Sequence, residues 1–355
     1  MRWAGLAVVV SAALLAGCSH LGYYWQAAQG QRELLAKARP IEEVVADPAT
    51  DPRLKLRLEK AREMRAFASR ELGLPENRSY TAYADLKRPA VVWNVFATPE
   101  LSLRLKEWCF PVAGCVTYKG YFNEAAARKE AQALRAEGWD VHVGLVPAYS
   151  TLGWFDDPLL STFIWYPEAE LARLIFHELA HQLLYVKGDT TFNESFASAV
   201  EEFGVERWLA QHPDPKLRAD YELFNQRKRD FQALLAQYRT RLETAYASGP
   251  DVEKRARKTQ VFADLQADYQ RMKSERWGGF AGYDRWFGQG LSNAHLASVG
   301  SYTQWLPAFR ALLKREGNDM PRFYAAVQQL ARMDKPQREQ ALAALAPMTP
   351  SVALR

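Results

Sequence analysis

Long apolar runs, cysteine and net charge are all scarce in this chain of 355 residues. The longest apolar run, WAGLAVVVSAALL at 3–15, is too short for a comfortable membrane span. Only three cysteines occur, and Cys109 and Cys115 have no nearby histidine, so they make an incomplete metal site. The 46 basic and 41 acidic residues leave +5, or +4 once Arg2 is discounted, too mild a balance to argue for nucleic acid. No internal repeat or low-complexity segment is present. What is there is ordinary for a globular protein: 48% hydrophobic and 25% charged residues, enough for an ample core in one large or two intimate domains.

The stretch EAELARLIFHELAHQLLYVKGDTTFNESFASAVEEFGVERWL (168–209) organises the rest. Pro167 and the acids Glu168 and Glu170 suit a helix N-terminus, and Gly188 suits its end. Apolar residues cover nearly the whole circumference between them, so this helix is expected to be buried. Yet His177, Glu178 and His181 sit in its middle, and burying them unpaired would cost roughly 1–3 kcal/mol per polar group. A metal ion is the most economical compensation. His177 and His181 are four apart and point the same way, the HExxH pattern in which two imidazoles bind zinc and the glutamate activates water. A second helix, capped by Thr190 or Thr191, carries Glu194 at nearly the same distance beyond Gly188 as His181 lies before it. In an antiparallel hairpin Glu194 falls opposite His181 as a third ligand, leaving the fourth tetrahedral position for water or substrate. Ser198 and Glu201 continue the face of Glu194, where either can hydrogen-bond a ligand imidazole. A surface role for Glu201 is equally open.

HELAHQ followed by NESFA resembles the HExxH and NExxA helices of the gluzincins, the thermolysin-like and aminopeptidase N-like zinc peptidases. The resemblance implies one Zn2+ held by His177, His181 and Glu194, with Glu178 as general base. It also implies a small mixed sheet before the HExxH helix, whose edge strand pairs with the peptide, and a Tyr or His from the C-terminal helical part to stabilise the oxyanion. Tyr302 and His295 are the candidates for that last role, each with structural packing as the alternative. Only 12 residues separate His181 from Glu194, against about 18 in those families. That shorter link, with the N-terminal features, is more similar to a bacterial lipoprotein family catalogued as aminopeptidases, a similarity that spans most of the mature chain. The GxMEN-type segment that holds the substrate ammonium in aminopeptidase N-like enzymes is absent; Asp156, Asp157 or Glu201 are substitutes to consider.

Residues 1–17 read as an export signal, with Arg2 as its positive end. Leu15-Ala16-Gly17-Cys18 resembles a lipobox, which implies cleavage before Cys18 and acylation of that residue; the alternative is an ordinary signal with Cys18 incidental. Ser19 in the next position implies the outer membrane, facing the periplasm. In an exported protein Cys109 and Cys115 are expected to pair.

The expected fold is α+β, mostly helical and zincin-like: signal peptide 1–17, anchor and N-terminal helical segment 18–87, catalytic core 88–212, helical region 213–355. Strands are expected at 91–97, 139–146 and 160–166, and a helix at 123–138 between Asn123 and Gly138. The stretch 149–162 is placed to pair with substrate, Asp156 and Asp157 otherwise being turn residues. His142, alternating with Val141 and Val143, reads as a satisfied or surface histidine. The function expected is a membrane-anchored zinc peptidase acting on peptides in the cell envelope, most simply an aminopeptidase. An envelope endopeptidase and a non-catalytic metal-binding scaffold are the alternatives.

Overall fold

The computed structural model describes residues 22–110, 114–299 and 304–346. Cys18 and Tyr302 lie outside those residues. Helix α1 covers 22–37, followed by β1 (Ala38–Pro40), α2 (Ile41–Ala46) and α3 (Pro52–Leu72). Asp51 caps α3 by accepting from the Arg53 amide, and Gly73, at φ 64°, ends it. Leu58, Met64, Phe67 and Leu72 are buried, so this segment is packed onto the rest of the chain.

Strands β2 (Ala82–Ala84), β3 (Val92–Pro99), β4 (Trp108–Phe110), β5 (Gly114–Val116) and β6 (Lys119–Tyr121) come next. Then follow α4 (Glu124–Ala136), β7 (Trp139–Val146) and β8 (Leu159–Leu160). β3 lies between β6 and β7 in an antiparallel sheet, with Phe96 opposite His142. The period-two alternation of β3 puts Trp93, Val95 and Ala97 on one face, where Ala127, Ala131 and Leu134 of α4 cover them. Asn123 caps α4 through the Ala126 amide, and Gly138 at φ 89° turns the chain into β7. β4 and β5 form a hairpin that sets Cys109 opposite Cys115, and the two are disulfide-bonded.

The strand expected at 160–166 is a correction. Only Leu159–Leu160 is extended, beside the three-residue β2; the Ser161 amide then bonds Ala84 O, and the Ile164 amide turns back to Leu160 O. The substrate-pairing strand expected at 149–162 is likewise mostly a turn, fixed by left-handed Leu152 and Gly153 and by Asp157 accepting from Thr151.

The rest is helical: α5 (Glu168–Leu183), α6 (Thr190–Gln211), α7 (Pro215–Tyr246) and α8 (Asp251–Arg271), with a π-helical turn at Met272–Arg276. Short α9 (Asp284–Phe287) and α10 (Asn293–Ser298) precede α11 (Leu306–Arg315), α12 (Met320–Arg332) and α13 (Lys335–Leu345). The chain is therefore α+β and mostly helical. One core joins α3, α5 and α6 to α11 and α12 through the rings of Phe67, Phe176, Phe196, Trp208, Phe309 and Phe323, and Leu342 brings in α13. Burial of each such ring contributes roughly 1.5–3 kcal/mol. Gly204 lets α6 approach closely: a Cβ there would meet Leu72 Cδ1 at 2.7 Å and Phe176 Cδ2 at 2.8 Å. A second core packs α7 against α8, with Trp277 and Phe287. No helix among the described residues is long and apolar enough to cross a membrane.

Candidate metal centre

α5 and α6 form the antiparallel hairpin on which the site depends, with both ends displaced from their expected places. α5 stops at Leu183 rather than running to Gly188, and Asp189, not a threonine, caps α6 by accepting from the Phe192 amide. The link is pinned from both sides. Asn193 accepts from the Val186 amide and donates to Val186 O, both at 2.8 Å, which consumes the backbone groups a longer α5 would have used. Asp189 also takes two bonds from Arg338 of α13, with both side chains buried. The closing helix thereby clamps the turn that sets the relation of α5 to α6.

The hairpin brings His177, His181 and Glu194 together. The two Nε2 atoms are 3.1 Å apart, Glu194 Oε2 is 3.3 Å from His177 Nε2, and Glu194 Oε1 is 3.6 Å from His181 Nε2. Two donors bound at about 2.1 Å to a tetrahedral zinc stand about 3.4 Å apart. All three observed separations lie within a few tenths of an ångström of that value, and two imidazoles with one carboxylate are a zinc-type donor set. The residues fit the ion. This is also the one cluster of three or more metal-ligating side chains found among the described residues.

The surroundings orient the donors. Glu201 Oε2 lies 2.8 Å from His177 Nδ1, so Nδ1 is held as the donor and Nε2, which faces the cluster, is the nitrogen left to ligate. Arg173 stands behind Glu201, with Nε 3.7 Å from Oε1, and is itself held by Glu170 at 2.8 Å and by Asn225 of α7. Ser198 is buried but makes no hydrogen bond to either imidazole among the described residues; it lines a cavity beside Glu201. His181 has no such support, since its Nδ1 is buried without a partner among the described residues. Burial opposes charge on His177, but the neighbouring Glu194 and Glu201 carboxylates prevail and raise its pKa. Burial tends to raise Glu194, yet the two imidazoles hold it down at about 2. Glu178 is raised, first by burial, which the imidazoles oppose and the Glu194 and Glu201 charges reinforce.

Of the remaining expected residues, His295 is not brought to the cluster. Its Nδ1 accepts from the Ser292 amide at 3.2 Å, closing a capping box on α10, and its ring stands 3.9 Å from that of His142. His142 is buried, not on the surface. Asp157 is a turn residue and Asp156 pairs with Arg78 at 3.6 Å. Two phenols that sequence reasoning passed over are coupled to the site instead. Tyr185 packs edge-on to His181 at 6.2 Å, and the Glu194 charge adds to burial in raising both Tyr185 and Tyr118, the latter to about 12. The turn bearing exposed Trp154 and Phe155 rests on α5 at Gln182, next to His181. A tyrosine two residues past an HExxH helix was visible in the sequence; Tyr118, on the far side of a hairpin, left no local signal.

No curated protein and no solved structure gives a significant match to the chain. Residues 22–342 match the family model described as "Putative aminopeptidase". The match spans α1 to α13 and every cluster residue, is consistent with a peptidase acting on peptide substrates, and places the chain in that family.

Proposed function

We propose that this protein is a zinc-dependent peptidase of zincin-like build, exported and held at the outer membrane by lipid on Cys18. The observation that carries the reading is the convergence of His177, His181 and Glu194 at 3.1–3.6 Å on a family-matched hairpin. Those three side chains would hold the ion, and Glu201 fixes the tautomer of His177. A zinc bound there supplies Lewis acidity that polarises the scissile carbonyl and acidifies water. Glu178 is half-buried, has no hydrogen-bond partner among the described residues and has a raised pKa. It takes the proton of the attacking water and returns it to the leaving amine. Tyr118 and Tyr185 are neutral phenols coupled to Glu194, suited to donate to a developing oxyanion, and Tyr302 stays a third candidate.

Aminopeptidase action is the family's own description and the first reading. An endopeptidase is the second, favoured by one observation. Each acid considered for holding a free ammonium is engaged elsewhere: Asp156 with Arg78, Asp157 with Thr151, Glu201 with His177. Mass profiling of a digested peptide mixture separates them. Single-residue N-terminal trimming supports the first and internal cuts the second; no cleavage by zinc-loaded protein defeats both and leaves the metal-binding scaffold.

A further inference from the structure

A cavity of about 600 Å³ opens where α4, the free edge of β7 and the α9–α10 region meet, and none of the His177–His181–Glu194 cluster lines it. Its volume is within the range of small-molecule sites. Trp93, Val143 and Leu145 of the sheet give it an apolar side. Its charged groups are three arginines and one glutamate, with Gln132 and Gln289 between them. Helix α4 contributes Arg128, Gln132 and Arg135 along one stripe, and Arg285 faces them from α9. The only acid in the wall, Glu124, is taken by Arg128 at 2.8 Å. Arg135 spends one bond on Val141 O, and Arg285 has no partner among the described residues.

His295 adds an independent sign. It forms part of the wall and is 2% exposed. Because Nδ1 accepts from the Ser292 amide, the proton is on Nε2, a buried donor with no partner among the described residues. Burial, with His142 and Arg135 nearby, holds its pKa down at about 2, so the ring stays a neutral donor. Buried polar groups are ordinarily paired, and an orphan donor beside Arg135 and Arg285, neither with a carboxylate partner among the described residues, lacks an acceptor.

We infer that this cavity is a second ligand site, one that takes an organic anion with its phosphate or carboxylate on Arg128, Arg135, Arg285 and His295 and its apolar body over Trp93, Val143 and Leu145. The site is independent of peptide hydrolysis. Isothermal titration of the full chain with 1-naphthyl phosphate, 1-naphthoate and neutral 1-naphthol tests it, and the two anions distinguish the headgroups. One anion is expected to bind once per chain, at least tenfold tighter than naphthol. Arg285→Gln and Arg128→Gln should each weaken it about tenfold, and Arg322→Gln, outside the cavity, should leave it unchanged. Arg285 is exposed and without a partner among the described residues, so its replacement is expected to leave the fold intact. Glu194→Ala should retain the anion. No saturable binding, equal loss in Arg322→Gln, affinity unchanged in both cavity variants, or loss in Glu194→Ala overturns the inference.

Discussion

Replacing Glu201 isolates the part of the site that lies behind the ligands. Its carboxylate accepts from His177 Nδ1 at 2.8 Å and faces Arg173 Nε at 3.7 Å, with its own side chain 9% exposed. Partners that orient a ligating imidazole are worth about 10–100-fold in metal affinity, or about 1.4–2.7 kcal/mol. Glu201→Gln keeps an acceptor for Nδ1 but loses the charge and turns an amide toward Arg173, so about tenfold weaker zinc binding is expected. Glu201→Ala loses the acceptor as well and should approach 100-fold. Arg173 keeps Glu170 and Asn225 and is not fully orphaned, which limits the folding cost to about 1–3 kcal/mol. Competition against a chromophoric chelator reads the affinity, and urea unfolding of the same samples reads the folding cost. If Glu201→Ala binds zinc within threefold of the parent, the imidazole is not oriented by this contact and the reasoning fails.

Other expectations follow from the same geometry. Glu178→Gln should retain its zinc while peptide turnover falls about 100- to 10,000-fold, measured as kcat on a fluorogenic peptide; undiminished turnover removes Glu178 as the base. Arg338→Ala strands Asp189 in a buried pair whose side chains are 4% and 6% exposed, so urea unfolding should show a loss of about 3–5 kcal/mol. Burial, with the charges of Glu178 and Asp156, raises the Asp157 carboxyl to about 6 despite two bonds from Thr151. A raised carboxylate makes the folded state bind the proton more tightly than the unfolded chain. This group's contribution therefore favours folding below about pH 4 and fades as pH rises through 6. Asp157→Asn should flatten the stability profile between pH 4 and 6, and an unchanged profile contradicts the assignment.

How far the sequence could be read depended on how local the signal was. His177 and His181 share a face by helical spacing alone, and β7 was legible to the residue because Val141 and Val143 alternate between Gly138 and Pro147. Glu194 reached its place even though α5 ended early and α6 began sooner than expected, because Asn193 grips both backbone groups of Val186 and holds the link in register. The error at 160–166 has a tertiary cause. LSTFIWY has strand composition, but β2 offers it only three residues of partner, and Phe163 and Ile164 enter the main core from a turn instead. His295 takes the structural alternative: its spacing from Ser292 is a capping arrangement that closes the start of α10. Tyr118 and the clamp of Arg338 on Asp189 arise from distant segments meeting, for which periodicity carries no trace.

Metal content tests the central claim most directly. Protein purified from zinc-supplemented culture and dialysed should hold one zinc per chain by plasma mass spectrometry, and Glu194→Ala treated identically should hold little or none. Parent protein that stays metal-free, or a Glu194→Ala variant that keeps a full equivalent, contradicts a centre built from His177, His181 and Glu194.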